Sequence, residues 1–298
     1  MIHYFECPVC KSSSIQTVFS AKDHTVSKKD FIICHCNDCT ARFTQDIPGQ
    51  NEIGAYYASE NYISHSDTQE GLINRLYHLV RKRTLLSKAA LVCKATGKRS
   101  GNVLDVGCGT GAFLNTMQQQ NWKISGLEPD AAARTKARSL YNIEALPAYD
   151  LFALSAGSYD AITLWHVLEH VHQLHEYVDQ LKKLLSADGK LFIAVPNYTS
   201  NDAHAYKNNW AAYDVPRHLY HFSPQSMRSL MNAHGLSVIK IKPMWFDSFY
   251  VSMLSEQYKN GKVNIAAAVF RGLISNINAF FNKEKCSSVI YIISKDRS

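Results

Sequence analysis

No run of this 298-residue sequence stays apolar long enough to cross a bilayer. The longest apolar stretch, Val263 to Phe281, is interrupted by Asn264, Arg271, Asn276 and Asn278, whereas a spanning helix needs about 20 largely apolar residues. The first residues also lack the basic-then-apolar pattern of a secretory leader, so a cytoplasmic location is expected. What the chain does not lack is core-forming residues. Its 46% hydrophobic content excludes a disordered or fibrous polypeptide, and its length accommodates one large domain plus a small module. The formal net charge of +7 permits an acidic partner without demanding one. The cations are scattered, apart from Arg75, Arg81, Lys82, Arg83 and Lys88 on one expected helix.

Four of the eight cysteines form two pairs, Cys7-Pro8-Val9-Cys10 and Cys36-Asn37-Asp38-Cys39, with 25 residues between them. Each C-x-x-C turn sets two thiolates on one face, and two such turns close a tetrahedron around Zn²⁺. Four protein ligands leave no open position, so this metal is expected to be structural. Cys34 is a spare thiol beside the second pair, and Cys93, Cys108 and Cys286 read as ordinary small core residues.

The run Val103-Leu104-Asp105-Val106-Gly107-Cys108-Gly109-Thr110-Gly111 reads as a buried strand ending in a turn without Cβ atoms at alternate positions. A helix opening at Ala112 and Phe113 aims free N–H groups at the same space. Gly107, Gly109 and Ala112 also satisfy the dinucleotide fingerprint, with Glu128 at the distance of a ribose partner, so NAD is an open alternative. Asp105 and the extra Gly111 suit a cofactor that is cationic and carries no pyrophosphate.

Strand and helix patterns alternate from Asn102, as in a doubly wound α/β sheet. Strands are expected at residues 102–106, 123–127, 143–146, 159–164, 190–195, 237–241 and 289–294, and helices at 111–120, 130–141 and 175–185. A helix capped by Ser223, with Pro224 at its first position, stops at Gly235. A helix over about Glu70 to Ala95, preceded by a polar stretch from Tyr56 to Gln69, connects to the cysteine module.

From about Lys98 onward the sequence resembles the class I S-adenosylmethionine-dependent methyltransferases. The resemblance rests on Leu104 to Gly111, Gly126-Leu127-Glu128-Pro129, Tyr159-Asp160-Ala161-Ile162-Thr163-Leu164 and the late strand pair. It implies a Rossmann-like, seven-stranded sheet behind a zinc ribbon: residues 1–48 as ribbon, 49–97 as helical connector, and 98–298 as methyltransferase domain with insertions at 197–223 and 244–286. It also implies that Asp105, Gly107, Cys108, Gly109 and Gly111 cradle the methionine part of the cofactor. Glu128, followed by Pro129, would grip the ribose hydroxyls, Asp150-Leu151 would reach the adenine, and Trp165 and His166 would wall the cofactor.

His166-Val167-Leu168-Glu169-His170 concentrates candidate bases. Its H-x-x-E-H spacing also occurs in zinc proteases, but here it directly follows a strand of a nucleotide fold. The segment resembles the Glu-x-x-Glu-His of the small-RNA 2′-O-methyltransferases and the ubiquinone-pathway O-methyltransferases, which implies a second, functional divalent metal at Glu169, His170 and His221. His166 departs from that pattern by replacing its first Glu. Hydrogen bonding of Glu169 and His170 to cofactor or loop is the alternative.

The 197–223 connection is too long for an ordinary loop and carries Tyr206, Trp210, Tyr213, Asp214, Arg217 and His218, so it is assigned acceptor recognition, with Asp214 and His218 joining His166 and His170 as candidate catalytic residues. Ala266, Phe270, Leu273, Ile274, Ile277 and Phe281 share one helical face, expected to pack on its own domain; a membrane-surface helix is the alternative. The cysteine module before the methyltransferase part resembles bacterial sugar C-methyltransferases, which implies a small hydroxylated or carbohydrate acceptor, lipid-linked in one variant. A nucleic-acid substrate is disfavoured because the aromatic–basic interleaving of RNA modules is missing. The Asn/Asp-Pro-Pro-Tyr signature of exocyclic-amino methyltransferases is missing too, since Val195-Pro196-Asn197-Tyr198 follows the wrong strand. Oligomeric state and the choice among O-, N- and C-methylation stay open.

Overall fold

The computed structural model describes residues 1–57 and 72–296, with the side chains of 72–79 excepted. Residues 58–69 of the expected polar stretch, the first two residues of the connector helix and the side chain of Arg75 lie outside the described residues. The chain forms two compact units, one built from residues 1–62, 166–178 and 194–291, the other from 63–165, 179–193 and 292–298. These units are discontinuous, unlike the linear division at 48 and 97.

The second unit holds the nucleotide-fold half. After α1 (Leu72–Thr96), strand β4 (Asn102–Val106) lies between β5 (Lys123–Leu127) and β6 (Tyr159–Trp165), parallel to both. Helices α2 (Ala112–Gln118), α3 (Ala131–Tyr141) and α4 (Leu174–Leu184) follow their strands. Near-continuous burial along β4 and β6 is what a parallel sheet covered on both faces requires. Phe113, Leu114, Met117, Trp122, Ala161 and Phe192 form the core here.

The sheet has six strands, not the expected seven, in the order β5-β4-β6-β7-β10-β9, with β7 at Leu185–Pro196, β9 at Leu236–Pro243 and β10 at Ser288–Lys295. Residues 143–146 contribute a single parallel bridge, Leu146 to Leu127. Pro147 follows at once, and its missing N–H ends any ladder there.

In the first unit, β1 (Ile15–Lys22), β2 (Asp30–Cys36) and β3 (Arg42–Thr44) make an antiparallel sheet joined by β8 (Tyr220–His221) from the 197–223 connection. That connection is ordered by α5 (Asn201–Tyr206) and two short 3-10 helices, and it packs Tyr198, Tyr206, Trp210 and Tyr213 against Phe31 and Ile33. The buried Asp202 carboxylate accepts hydrogen bonds from Trp210 Nε1 (2.8 Å), Ser275 Oγ (2.6 Å) and Ser287 Oγ (2.6 Å). Helix α6 (Pro224–Ala233) starts at Ser223 in a capping box with Ser226.

Helices α7 (Asp247–Asn260) and α8 (Ile265–Phe281) reverse an expectation. The buried residues of α8 are Ala268, Gly272, Ser275 and Ala279, while Phe270, Leu273, Ile277 and Phe281 are exposed. The reason is close helix packing: a Cβ on Gly272 would lie 2.6 Å from the Phe249 ring, so the small-residue stripe faces α7.

Candidate functional site

On the cofactor side, β4 runs into a loop in which Gly107, Gly109 and Gly111 have φ of 72°, 54° and 79°, values that L side chains rarely adopt. The loop folds over the end of β5, where Gly107 N and Cys108 N both donate to Leu127 O, at 2.7 and 3.0 Å. The buried Glu128 accepts from Gly109 N through Oε2 (2.8 Å) and from Asp130 N through Oε1 (2.9 Å). Arg134 secures the turn by donating to Glu128 O and Pro129 O. Asp105, two residues before Gly107 on β4, is buried, its Oδ1 accepting from Thr163 Oγ1 at 2.6 Å. Burial pushes this carboxyl up to about 7, against the pull of the Thr163 hydroxyl and the Lys88 charge.

Trp165, at the end of β6, meets Phe113 edge-on at 5.4 Å and carries the Lys88 ammonium 4.3 Å over its ring. Asp150 and Leu151 lie on a short 3-10 helix (Ala148–Ala153); Leu151 is fully buried and its carbonyl accepts from Gln180 Nε2 at 2.9 Å. Lys88 entered the sequence reading only as part of a basic cluster, because helical spacing cannot show which ring a lysine covers.

The first unit gathers the second set of residues. His166 takes a left-handed conformation (φ 60°) and His170 ends a short 3-10 helix begun at Leu168. His170 Nδ1 lies 3.0 Å from Arg217 O and 2.9 Å from Tyr57 Oη. His218 Nδ1 lies 2.8 Å from Ala212 O. A carbonyl can only accept, so both Nδ1 atoms carry a proton, and in the neutral ring it is Nε2 that offers the lone pair. Glu169 is fully buried, and among the described residues neither carboxylate oxygen has a hydrogen-bond donor. Its nearest charged neighbour is His166 Nδ1, 3.4 Å from Oε1. Glu169, His170 and His218 can bring one ligand atom each within 4.8 Å of one another.

His221 does not join this group. The Thr44 hydroxyl spends its only proton on His218 O (2.7 Å), so at the 3.1 Å contact His221 Nε2 must be the donor and has no lone pair there. The downstream histidine of the cluster is therefore His218, three residues before the expected one.

Burial lowers His166, but the adjacent Asp247 (3.0 Å from Nε2) and Glu169 outweigh it and raise the imidazole to about 9. Burial beside His218 pushes His170 down to about 4. Asp214 faces His218 at 3.9 Å and pairs with Arg217 Nη2 at 2.5 Å. Arg217 is itself buried and lies 3.4 Å from Asp23, so the partly exposed Asp214 is one member of an ion triad around a buried arginine. Asp23 and Asp247 were missed by sequence reasoning. They lie 194 and 81 residues from their partners, and no local pattern marks them.

At the amino-terminal end, Cys7 Sγ lies 3.6 Å from Cys39 Sγ, and Cys10 Sγ 3.5 Å from Cys36 Sγ. Four thiolates about 2.3 Å from one Zn²⁺ would sit about 3.8 Å apart, close to this spacing. Cys34, the spare thiol, lies on β2 and contacts Thr17 at 4.0 Å.

The family profile described as a methyltransferase domain matches residues 75–241, more than half of the chain. The chain therefore belongs to the methyltransferase-domain family, and its fold is that of the class I S-adenosylmethionine-dependent enzymes. Among curated proteins it is similar to a ubiquinone biosynthesis O-methyltransferase of Xanthomonas axonopodis pv. citri, 32% identical over 106 residues, covering 33% of this chain and 44% of that protein. The chain spans about half the length of the curated relatives it matches. Among solved structures it is similar to geranyl diphosphate C-methyltransferase from Streptomyces coelicolor A3(2), with a TM-score of 0.50, 13% identity and coverage of 80% and 89% of the two chains. A protein from Galdieria sulphuraria proposed as a sarcosine dimethylglycine methyltransferase gives 0.51, 16%, 75% and 88%.

Proposed function

We propose that this chain transfers the methyl group of S-adenosylmethionine to an oxygen of a small hydroxylated or carbohydrate-type acceptor. The observation that carries the cofactor half is Glu128, a carboxylate pinned by Gly109 N–H at the mouth of a loop with three positive-φ glycines. Bound there, the cofactor supplies an electrophilic methyl on a sulfonium, which leaves as a neutral thioether. The ionised Asp105 would favour that cation, the loop would admit its backbone-hugging chain, and Glu128 would receive the ribose hydroxyls. Trp165 would wall the site against water.

The oxygen acceptor is inferred from Glu169, His170 and His218. Buried Glu169 has one cationic neighbour, His166, 3.4 Å from Oε1, and among the described residues no hydrogen-bond donor on either oxygen, so its lone pairs are open to a further cation. Two imidazoles held by backbone carbonyls through Nδ1 are presented as ligating histidines usually are. These residues fit a divalent cation, which would lower the pKa of an acceptor hydroxyl and orient neighbouring oxygens. His170 and His218 could alternatively take the acceptor proton directly. His166 acts in positioning, through its contacts with Glu169 and Asp247. The names of the ubiquinone-pathway relatives support a hydroxyl acceptor, and the four thiols support a structural Zn²⁺.

The test is a labelled-methyl transfer screen over sugar nucleotides, quinol precursors and small RNAs, after calorimetry with S-adenosylmethionine. Transfer to a hydroxyl of either small-molecule class is expected. Transfer only to RNA, or no cofactor binding, refutes the reading.

A further inference from the structure

Helix α8 wears its apolar face outward. Phe270 is 59% exposed, Ile277 50%, Phe280 73% and Phe281 83%, while the buried side of the helix is occupied by Ala268, Gly272, Ser275 and Ala279. A helix that only needed to cover its own domain would turn its large residues inward, since each such side chain removed from water is worth about 1.5–3 kcal/mol. Helix α7 repeats the pattern on a smaller scale. Tyr250 and Met253 are exposed on it, as are Phe246 at its N-cap and Trp245 just before.

The charged residues along this segment are mostly cationic. Between Lys259 and Lys285 the chain carries Lys259, Lys262, Arg271, Lys283 and Lys285 against one carboxylate, Glu284, which is paired with Arg228. The lysines flank α8 at both ends, where long stems can lie along apolar surface with the ammonium in a polar layer. Among the described residues no helix is long and apolar enough to cross a membrane.

We propose that the outward face of α8, with the exposed aromatic residues at the start of α7, is a docking surface for an anionic lipid bilayer. Large apolar and aromatic residues on the outer face enter the acyl boundary, and the lysines at the two ends meet anionic headgroups. A second copy of the chain is the poorer occupant, because it would bring one set of lysines against another. The inference uses nothing from the cofactor site and stands or falls independently of methyl transfer.

The experiment is co-sedimentation of the full chain with vesicles of phosphatidylcholine alone or mixed with phosphatidylglycerol, at low and high salt. Binding about tenfold stronger to the mixed vesicles, and weakened by salt, is expected. Phe270→Ser with Ile277→Ser should reduce that binding about tenfold with a much smaller effect on the thermal midpoint, since half or more of each residue is already exposed. Lys262→Glu with Lys283→Glu should remove the preference for anionic lipid, which keeps the proposal testable if the serine pair folds poorly. Wild-type protein that stays in the supernatant with both vesicle types overturns it. So does a dimer in lipid-free buffer that the serine pair converts to monomer while vesicle binding is undetectable.

Discussion

Gly109 donates its backbone N–H to Glu128 Oε2 at 2.8 Å, tying the glycine loop to the carboxylate that ends the neighbouring strand. If Glu128 receives the ribose, Glu128→Ala loses charge-assisted hydrogen bonds and frees the loop at once. Affinity for S-adenosylmethionine should fall by about 10- to 100-fold, at roughly 1.5–3 kcal/mol for hydrogen bonds to a charged group. Titration calorimetry checks this; unchanged affinity would remove Glu128 from the cofactor site.

Asp105 sets a pH dependence. Its carboxyl titrates near 7 in the folded chain and near 3.8 in the unfolded one, so between these values the folded state holds a proton that the unfolded state has released. Its contribution to stability is therefore fully present below about pH 4 and lost as pH rises through 7, an effect of up to about 4 kcal/mol. Thermal midpoints of wild type and Asp105→Asn, followed from pH 5 to 8, should diverge, with the variant flatter. Affinity for the cationic donor should rise over the same range, while that for the neutral demethylated product should not.

The cluster formed by Glu169, His170 and His218 predicts separable binding and chemistry. Glu169→Gln should leave cofactor affinity intact and lower methyl transfer by about 100-fold, together with any Mg²⁺ or Mn²⁺ dependence. If wild-type turnover ignores added or chelated divalent ions, the cation reading is wrong and the histidines act as bases.

Replacing Cys36 with Ser should remove one equivalent of zinc measured by elemental analysis. A loss of about 4 kcal/mol would lower the thermal midpoint by roughly 10 °C for a protein of this size. Zinc retained at full stoichiometry would exclude the four-thiol site.

Asp214→Asn tests a structural role at a residue assigned to catalysis. Arg217 keeps Asp23 as a partner but loses its shorter contact, so a cost of about 2 kcal/mol is expected, below the usual value for orphaning a buried charge. A fall in turnover with no loss of stability by denaturant titration would return Asp214 to the chemistry.

Local spacing made the glycine loop, the cysteine pairs and most strands legible, because each is specified by residues within a few positions of one another. The direction of α8 was not. A 3.6-residue period says that one face is apolar, but whether that face is covered depends on whether a small-residue stripe such as Ala268, Gly272, Ser275 and Ala279 packs more closely. His221 was the partner expected for Glu169 and His170, on its place in the sequence alone. A proton on His221 Nε2, set by its contact with Thr44 some 177 positions away, removes it from the cluster, and His218 takes the place. The strand expected at 143–146 had the composition for pairing, but Pro147 limits it to one bridge.

The cysteine-bearing sheet takes its fourth strand from Tyr220–His221, with Arg42 opposite His221 and Phe43 opposite Tyr220. On a ribosome adding about 5–20 residues per second, the first three strands would wait on the order of 10–35 s for that partner. Until then the free side of β3 is an open edge with unpaired backbone groups, the kind of surface that recruits the wrong chain. Metal capture by the four thiols during this interval would fix the two knuckles early, so zinc limitation should appear first as aggregation of newly made protein.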